Sequence, residues 1–414
     1  MNSKILAGLL IVCVIPAQAD WLDWRGPTAN GHSDAIGLPL HWSETEHVKW
    51  KVPVRDFGHS TPVVKGNQIW LTTATKDGSA LYALCFDLET GDTIHDIEVF
   101  QPAMSQRIHP VNTYATPSIA LEDNRAYVHF GTFGTACLDT RTGEVLWKNT
   151  DLHCDHMQGP ASSPILFEDL LILDLEGVDV QFMVALDKDT GKLVWKEDRA
   201  PELFQNIKPL FLLKSYITPI IEEVDGQPQL IANASQLVSG HDPRTGKEIW
   251  RVVYGGDSSI SRTVSGHGMF FVNTGGPPGG TWLWAVRQGG TGDVTDSHVA
   301  WTIEDNVPLE TSPVLVDDLL YMMSDTGTLT CVEAKTGEIV WTVRLRGRFS
   351  ASLLYVEGRI YISSKQGKTV IIKPGRIFDV VGENQLDGGF WASPAVVGKS
   401  LIMRSKTHLY RIEN

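Results

Sequence analysis

The chain has 414 residues, with 35 Lys and Arg against 49 Asp and Glu and a formal net charge of −14. Hydrophobic residues at 42% and charged residues at 20% exclude wholesale disorder, and the acidic balance argues against a binder of nucleic-acid backbones. Length alone suggests two or three domains of about 100–200 residues each.

The first segment reads as an export signal. Lys4 is a short positive region, Ile5 to Ile15 is apolar, and Ala17-Gln18-Ala19 has the small-x-small pattern of a cleavage site. Cleavage after Ala19 is expected, with a periplasmic or secreted chain starting at Asp20. Cys13 follows Leu10-Ile11-Val12 and lacks the small residue that precedes a lipidated cysteine. Beyond the first twenty positions no apolar run reaches the roughly 18–20 residues of a membrane span. Residues 20–46 read as a leader segment and 47–414 as the folded body.

That body is one repeat, copied. Asp139-Thr-Arg-Thr-Gly143-Glu-Val-Leu-Trp147 recurs as Asp187 to Trp195, Asp242 to Trp250 and Glu333 to Trp341. Asp87 to Gly91 is the same turn with His95 in the Trp place, and Thr291-Gly292 leads to Trp301 in a longer copy. The Asp caps a tight turn and the Gly supplies its φ > 0 residue. Ahead of the copies stands Ser/Thr-Pro and an apolar run, at Pro62, Pro117, Pro164, Pro219, Pro313 and Pro394, with Thr263-Val264 and Ser352-Leu353 filling the gaps. Eight units at a period of about 47 residues predict an all-β, eight-bladed β-propeller of four-stranded blades. In the sixth unit the strands are expected at 313–316, 319–323, 328–333 and 339–344. The eighth unit stops at Asn414 without a fourth strand, and residues 47–54, with Trp50, are expected to complete it. Cys85, Cys137 and Cys331 repeat two places before the turn acid, where Ala185 and Gly240 stand in other units. They read as small core residues, so disulfides among them are not expected.

The motif from Ala185-Leu-Asp187 to Trp195 resembles the docking motif of the pyrroloquinoline-quinone (PQQ)-type eight-bladed propellers, and the resemblance covers residues 47–414. Trp21-Leu-Asp-Trp24-Arg25-Gly26-Pro27, Asn30-Gly31-His32-Ser33 and Asp293-Val-Thr-Asp-Ser-His-Val-Ala-Trp301 resemble segments of secreted PQQ-like repeat proteins. The resemblance implies two kinds of relative: quinoprotein alcohol dehydrogenases using PQQ and calcium, and the propeller scaffold of the bacterial outer-membrane barrel-assembly machinery. This chain departs from the dehydrogenases. It has no adjacent Cys-Cys pair, and no match to their calcium-ligand Glu/Asn pair or their Trp-Gly-x-Asp segment. No cofactor is therefore established, and a non-catalytic binding or scaffold role is the expected function, with PQQ-dependent oxidation of alcohols or sugars as the alternative.

In a propeller, loops entering the first strands share one face around the channel. Three residues before each strand-start position come His59, Tyr114, Ala161, Tyr216, Ser261, Glu310, Ser350 and Trp391. The expected ligand site at this mouth combines His59, Tyr114, Tyr216, Glu310 and Trp391 with Arg107, His109, Asn112, Gln158 and Arg262 from the adjoining loops. His153, Asp155 and His156 are the candidate metal ligands, although His-Cys-Asp-His is not an established zinc spacing. Residues 200–215, with Phe204 and Leu210 to Leu213, are expected as a channel lid or a docking loop. Gly275-Gly-Pro-Pro-Gly-Gly280 lacks the Lys-Ser/Thr of a phosphate loop, so nucleotide binding is not expected. The expected occupant is a protein partner or a small molecule on a monomeric propeller.

Overall fold

A computed structural model describes residues 20–414 except 105, 206, 258 and 277–280. The expected signal segment 1–19 and most of the Gly275–Gly280 loop lie outside the described residues. Length suggested several domains, but the fold is a single ring of eight sheets. In the sixth blade the strands are Val314–Val316, Leu319–Met323, Thr328–Glu333 and Ile339–Arg344, within one residue of the expected bounds. The eighth blade holds Ala395–Val397, Ser400–Arg404 and His408–Ile412. Its fourth strand is Val48–Pro53, antiparallel to His408–Ile412 with Trp50 opposite Arg411. Both ends of the body thus share one sheet, and Val48–Pro53 covers the edge that His408–Ile412 would otherwise leave open.

The repeated motif builds both the turn and the joint between blades. Asp187 Oδ1 accepts the Thr190 amide at 2.8 Å and the Asp189 amide at 3.2 Å, and Gly191 turns the chain at φ +69°. The small residue before the turn lies opposite the Trp: Cys137 faces Trp147, Ala185 faces Trp195, and Cys331 faces Trp341. All four described cysteines are free and buried. Each Trp then leans on the next blade's turn. Trp147 Nε1 donates to Lys188 O at 3.0 Å, Trp195 Nε1 to Pro243 O at 3.1 Å and Trp301 Nε1 to Ala334 O at 3.1 Å. Trp50 Nε1 closes the ring onto Leu88 O at 3.0 Å. Trp250 is the exception. The longer fifth copy sends Gly292–Asp293 onto the outer edge of blade four, and Trp250 donates instead to Gln229 Oε1 at 2.9 Å and stacks on Phe270.

The turn glycine is needed twice over, for its φ and because a Cβ at Gly191 would overlap the Trp147 ring. Gly191→Ala should cost about 2–4 kcal/mol in urea unfolding. Gly268→Ala is the control: its φ is +70° but its Cβ would meet nothing within 4 Å, so only the backbone cost of about 1–2 kcal/mol applies. Equal losses at both sites would refute the docking role.

The leader crosses the base of the ring. Trp21 pairs with Val64 of blade one, Leu22 O accepts the Leu121 amide of blade two, and His32–Ser33 runs parallel to Leu354–Val356 of blade seven. Leu38 and Trp42 then join the core between blades seven and eight, where Trp42 stacks on Tyr361. Among the described residues no helix is long and apolar enough to cross a membrane.

Candidate functional site: the channel mouth

The innermost strands set the register of the site. Two residues before each one stand Thr61, Ser118, Ser163, Thr218, Arg262, Ser312, Ser352 and Ser393. The hydroxyls form a chain of hydrogen bonds around the channel. The Thr61 amide donates to Ser118 Oγ at 2.9 Å, Ser118 to Ser163 Oγ at 2.9 Å and Ser163 to Thr218 Oγ1 at 2.9 Å. After blade five it resumes, from Arg262 to Ser312 at 3.0 Å, Ser312 to Ser352 at 2.9 Å, Ser352 to Ser393 at 3.0 Å and Ser393 back to Thr61 at 3.1 Å. The break falls where Arg262 has no hydroxyl. Two residues further out lies a second ring: His59, Thr116, Ala161, Tyr216, Ile260, Glu310, Ser350 and Trp391. All eight line a cavity of about 170 Å³, together with six hydroxyl-ring residues, His109, Val111, Asn112, Gln158 and Trp24.

The structure thus moves the expected ring at two blades. Thr116-Pro117 is not the strand-start signature of blade two; the strand begins at Ala120, so Ser118 takes the hydroxyl place and Thr116 replaces Tyr114 at the cavity. Blade five is shifted by one, and Ile260 replaces Ser261. Tyr114 is buried instead, its hydroxyl donating to Gln106 O at 2.6 Å. Arg107 is exposed outside the cavity. Arg262 turns away from the mouth toward the leader and meets Asp23 Oδ1 at 2.6 Å and Pro219 O at 2.8 Å. His59, His109, Asn112, Gln158, Tyr216, Glu310 and Trp391 are brought together as expected.

The metal candidates are not brought together. Cys154 and His156 are buried, whereas His153 and Asp155 point into solvent, because adjacent side chains on this extended loop alternate sides. Among the described residues no three His, Cys, Asp or Glu come together as metal ligands. His156 serves the loop instead: its carbonyl accepts the Tyr216 hydroxyl at 2.7 Å. Asn112 Nδ2 donates to Gln158 O at 2.9 Å and ties the two richest loops to each other. The described residues of 200–215 do not line the channel cavity; Phe204 and Leu213 pack on Ala234 and Leu237 of blade four.

Charge is arranged by depth. At the mouth His59 stacks on Trp391 at 5.6 Å, and burial followed by the Arg404, Lys365 and Lys406 charges pushes its pKa down to about 3. Its imidazole is neutral at pH 7. Lys406 Nζ lies 3.9 Å from the Trp391 ring centre, and Lys365 Nζ holds Glu310 at 2.7 Å. At the base, the Arg25 and Arg262 guanidiniums lie 5.9 and 5.7 Å from the Trp24 ring. Arg25 binds Leu353 O, Pro313 O and Asn30 O, each at 2.7 Å; burial, then Arg262, lowers its pKa to about 9, which leaves it charged. The leader therefore closes the channel below the hydroxyl ring, and the cavity is a dead end with Trp24 at its base. Residue spacing flagged most of the mouth but not Trp24, Thr116 or Ile260; the Trp-Arg-Gly leader was the one available signal for Trp24.

A family model described as outer membrane protein assembly factor BamB matches residues 40–153, 85–278, 179–307 and 234–374. The chain belongs to this family. The overlapping matches reflect the blade repeat. BamB from Moraxella catarrhalis superposes with a TM-score of 0.60 at 12% identity, over 88% of this chain and 99% of that one. The quinohemoprotein alcohol dehydrogenase from Comamonas testosteroni gives a TM-score of 0.66 at 12% identity, over 95% of this chain and 80% of that one. Likeness at this identity shows the shared propeller fold. Among curated proteins there is no match.

The mouth of this BamB-family chain does not fit PQQ with calcium. PQQ is a tricyclic tricarboxylate, and about 170 Å³ is below the roughly 300–1,000 Å³ of pockets for drug-sized ligands. Among the described residues that line the cavity the one carboxylate, Glu310, is held by Lys365, which leaves no free carboxylate there for calcium.

Proposed function

We propose that this chain is an exported binding propeller that takes its ligand or partner at the channel mouth and does no chemistry on it. The observation that carries this reading is the dead-end cavity. The repeat positions that face it carry aromatic rings, hydroxyls and one carboxylate, Asn112 and Gln158 add amides from the adjoining loops, and the leader crosses it from below. A few placed polar groups among apolar walls suit recognition. Trp391, braced by His59 and Lys406, is the aromatic anchor. The family description supports a place in an assembly, and the resemblance of residues 1–19 to a signal segment supports export.

The test is a thermal-shift screen of small polar molecules and short peptides on the wild type and on Trp391→Ala. Compounds that raise the wild-type Tm and not that of the variant support the reading; hits that stabilise both proteins equally overturn the site. Adding PQQ and Ca²⁺ in the same experiment addresses the quinoprotein alternative. Dye reduction with alcohols or sugars above background would replace binding with catalysis.

A further inference from the structure

We propose that the channel cavity selects a ligand with a compact oxyanion head, a carboxylate or phosphate, seated on the hydroxyl ring. The proposal rests on the reading of the mouth as a binding site and adds the chemical class of what enters it.

The first observation is the state of the ring hydroxyls. Each of the seven accepts a backbone amide from the preceding blade through one lone pair. Among the described residues none of them donates its O–H to a protein group. A hydroxyl carries one donor and two acceptor sites. With one acceptor site used, each ring hydroxyl keeps its proton and one lone pair for a guest, and six of the seven residues line the cavity. A guest rich in acceptors takes the protons together, and the charge below the ring favours that mode over a donor-rich guest.

The second observation is the charge under the base. Arg262 is paired with Asp23, while Arg25 is buried and bound to carbonyl oxygens. Two guanidiniums against one carboxylate leave a net positive charge beneath Trp24. The surrounding burial keeps that charge weakly screened, so it acts on a guest in the cavity above. At the mouth, Glu310 is held by Lys365 and Lys406 stands on the other side of Trp391. Asp325, which accepts the Leu309 and Glu310 amides, adds a second carboxylate, so the rim sets two carboxylates against two ammoniums and the net positive charge lies at the base.

Size completes the argument. About 170 Å³ suits a head group with a short body and not an extended polyanion. The apolar part of the guest meets Val111, Ile260, Tyr216 and Trp391 on its way out.

The experiment is an NMR titration of the full chain in which the Trp24 indole N–H, assigned through Trp24→Phe, reports occupancy of the cavity. The probes are acetate, inorganic phosphate and acetamide, at constant pH and ionic strength. Acetate or phosphate should shift the Trp24 signal saturably, and acetamide, the neutral isostere, should bind at least about tenfold more weakly. Acetate acting alone assigns a carboxylate head, and phosphate acting alone a phosphate head. Thr218→Val with Ser352→Ala should weaken the anion at least about tenfold, whereas Thr218→Ser, which keeps the hydroxyl, should not. If the double variant does not fold, the comparison of acetate with acetamide on the wild type still decides. Equal response to acetate and acetamide, or anion binding unchanged in a folded double variant, overturns the oxyanion head. A neutral hit from the thermal screen that shifts Trp24 while both anions stay silent overturns it too, and leaves the mouth reading standing. No shift from any probe or screened compound overturns both.

Discussion

A chain lacking residues 20–55 should lose its single cooperative unfolding transition and melt broadly, many degrees below the chain that starts at residue 20. The last blade would keep only three strands, and the edge of His408–Ile412 would lie open. Trp50 would leave the turn of blade one, so the joint between the last and first blades would lose its ring. Trp21, Leu38, Trp42 and Val54 are all buried in the core shared by blades seven, eight and one. Burial is worth about 1.5–3 kcal/mol for each such side chain, while the net stability of a protein is about 5–15 kcal/mol. The deletion therefore removes a large part of the whole. A chain starting at residue 34 keeps the closing strand and loses Trp21, the His32–Ser33 strand and the base of the channel. It should stay cooperative with a lower Tm. Calorimetry on the two truncations checks this; an unchanged transition in the shorter chain would sink the closure argument.

The second large effect is on pH dependence, where two buried sets oppose each other. His129 and His241 are buried with pKa values pushed down to about 3, and His156 to about 4, desolvation being the largest cause in each. They are neutral in the fold and take protons only on unfolding. Their contribution is full above the ordinary pKa of 6.5 and is lost as pH falls below it. In blade three, burial pushes Glu176 up to about 7 and Asp174 well above the carboxylate range, despite Arg199 Nη1 at 3.2 Å from Glu176. These groups hold protons in the fold that the unfolded chain releases. Their contribution is present below the ordinary carboxylate pKa and is lost as pH rises toward 7. Between pH 6.5 and 5 the two carboxyls therefore offset part of the loss from these histidines and from His59. The wild type should lose less stability over that range than a variant without the carboxyls. Asp174→Asn with Glu176→Gln leaves the four histidines unopposed and should lose about 5–7 kcal/mol over the same range. Urea unfolding at several pH values measures the slope, which is independent of the cost of the substitutions at neutral pH. Parallel slopes would show that this pair does not titrate as described.

What was legible in the sequence follows from the range of the interactions. The turn from Asp187 to Gly191 and the Trp four places on are local, and local geometry repeats wherever those residues do. Blade number, strand bounds in blade six and the closing role of residues 48–53 came from that repetition. So did the placing of Cys85, Cys137 and Cys331 beside the docking ring or its His95 substitute. At the mouth, equal spacing from the repeat signature located six of the eight ring residues.

The misplacements have a physical cause. Thr116-Pro117 mimics the strand-start signature, but the strand register is set by pairing Ala120 with Tyr127. Arg262 looks like a mouth residue by position, yet its partner is Asp23, 239 residues away in the leader. His153 and Asp155 neighbour Cys154 and His156 in sequence and face the opposite way in space. The repeat by itself determined the propeller, its closure and the ring of loop positions, because each rests on contacts within one blade or between adjacent ones. Only the tertiary structure decided that the leader seals the channel, that Trp24 forms the base of the cavity, and that the hydroxyls of seven distant segments, with Arg262 in the eighth place, meet around one axis. Those facts depend on contacts such as Arg25 to Leu353, 328 residues apart, for which no local pattern exists.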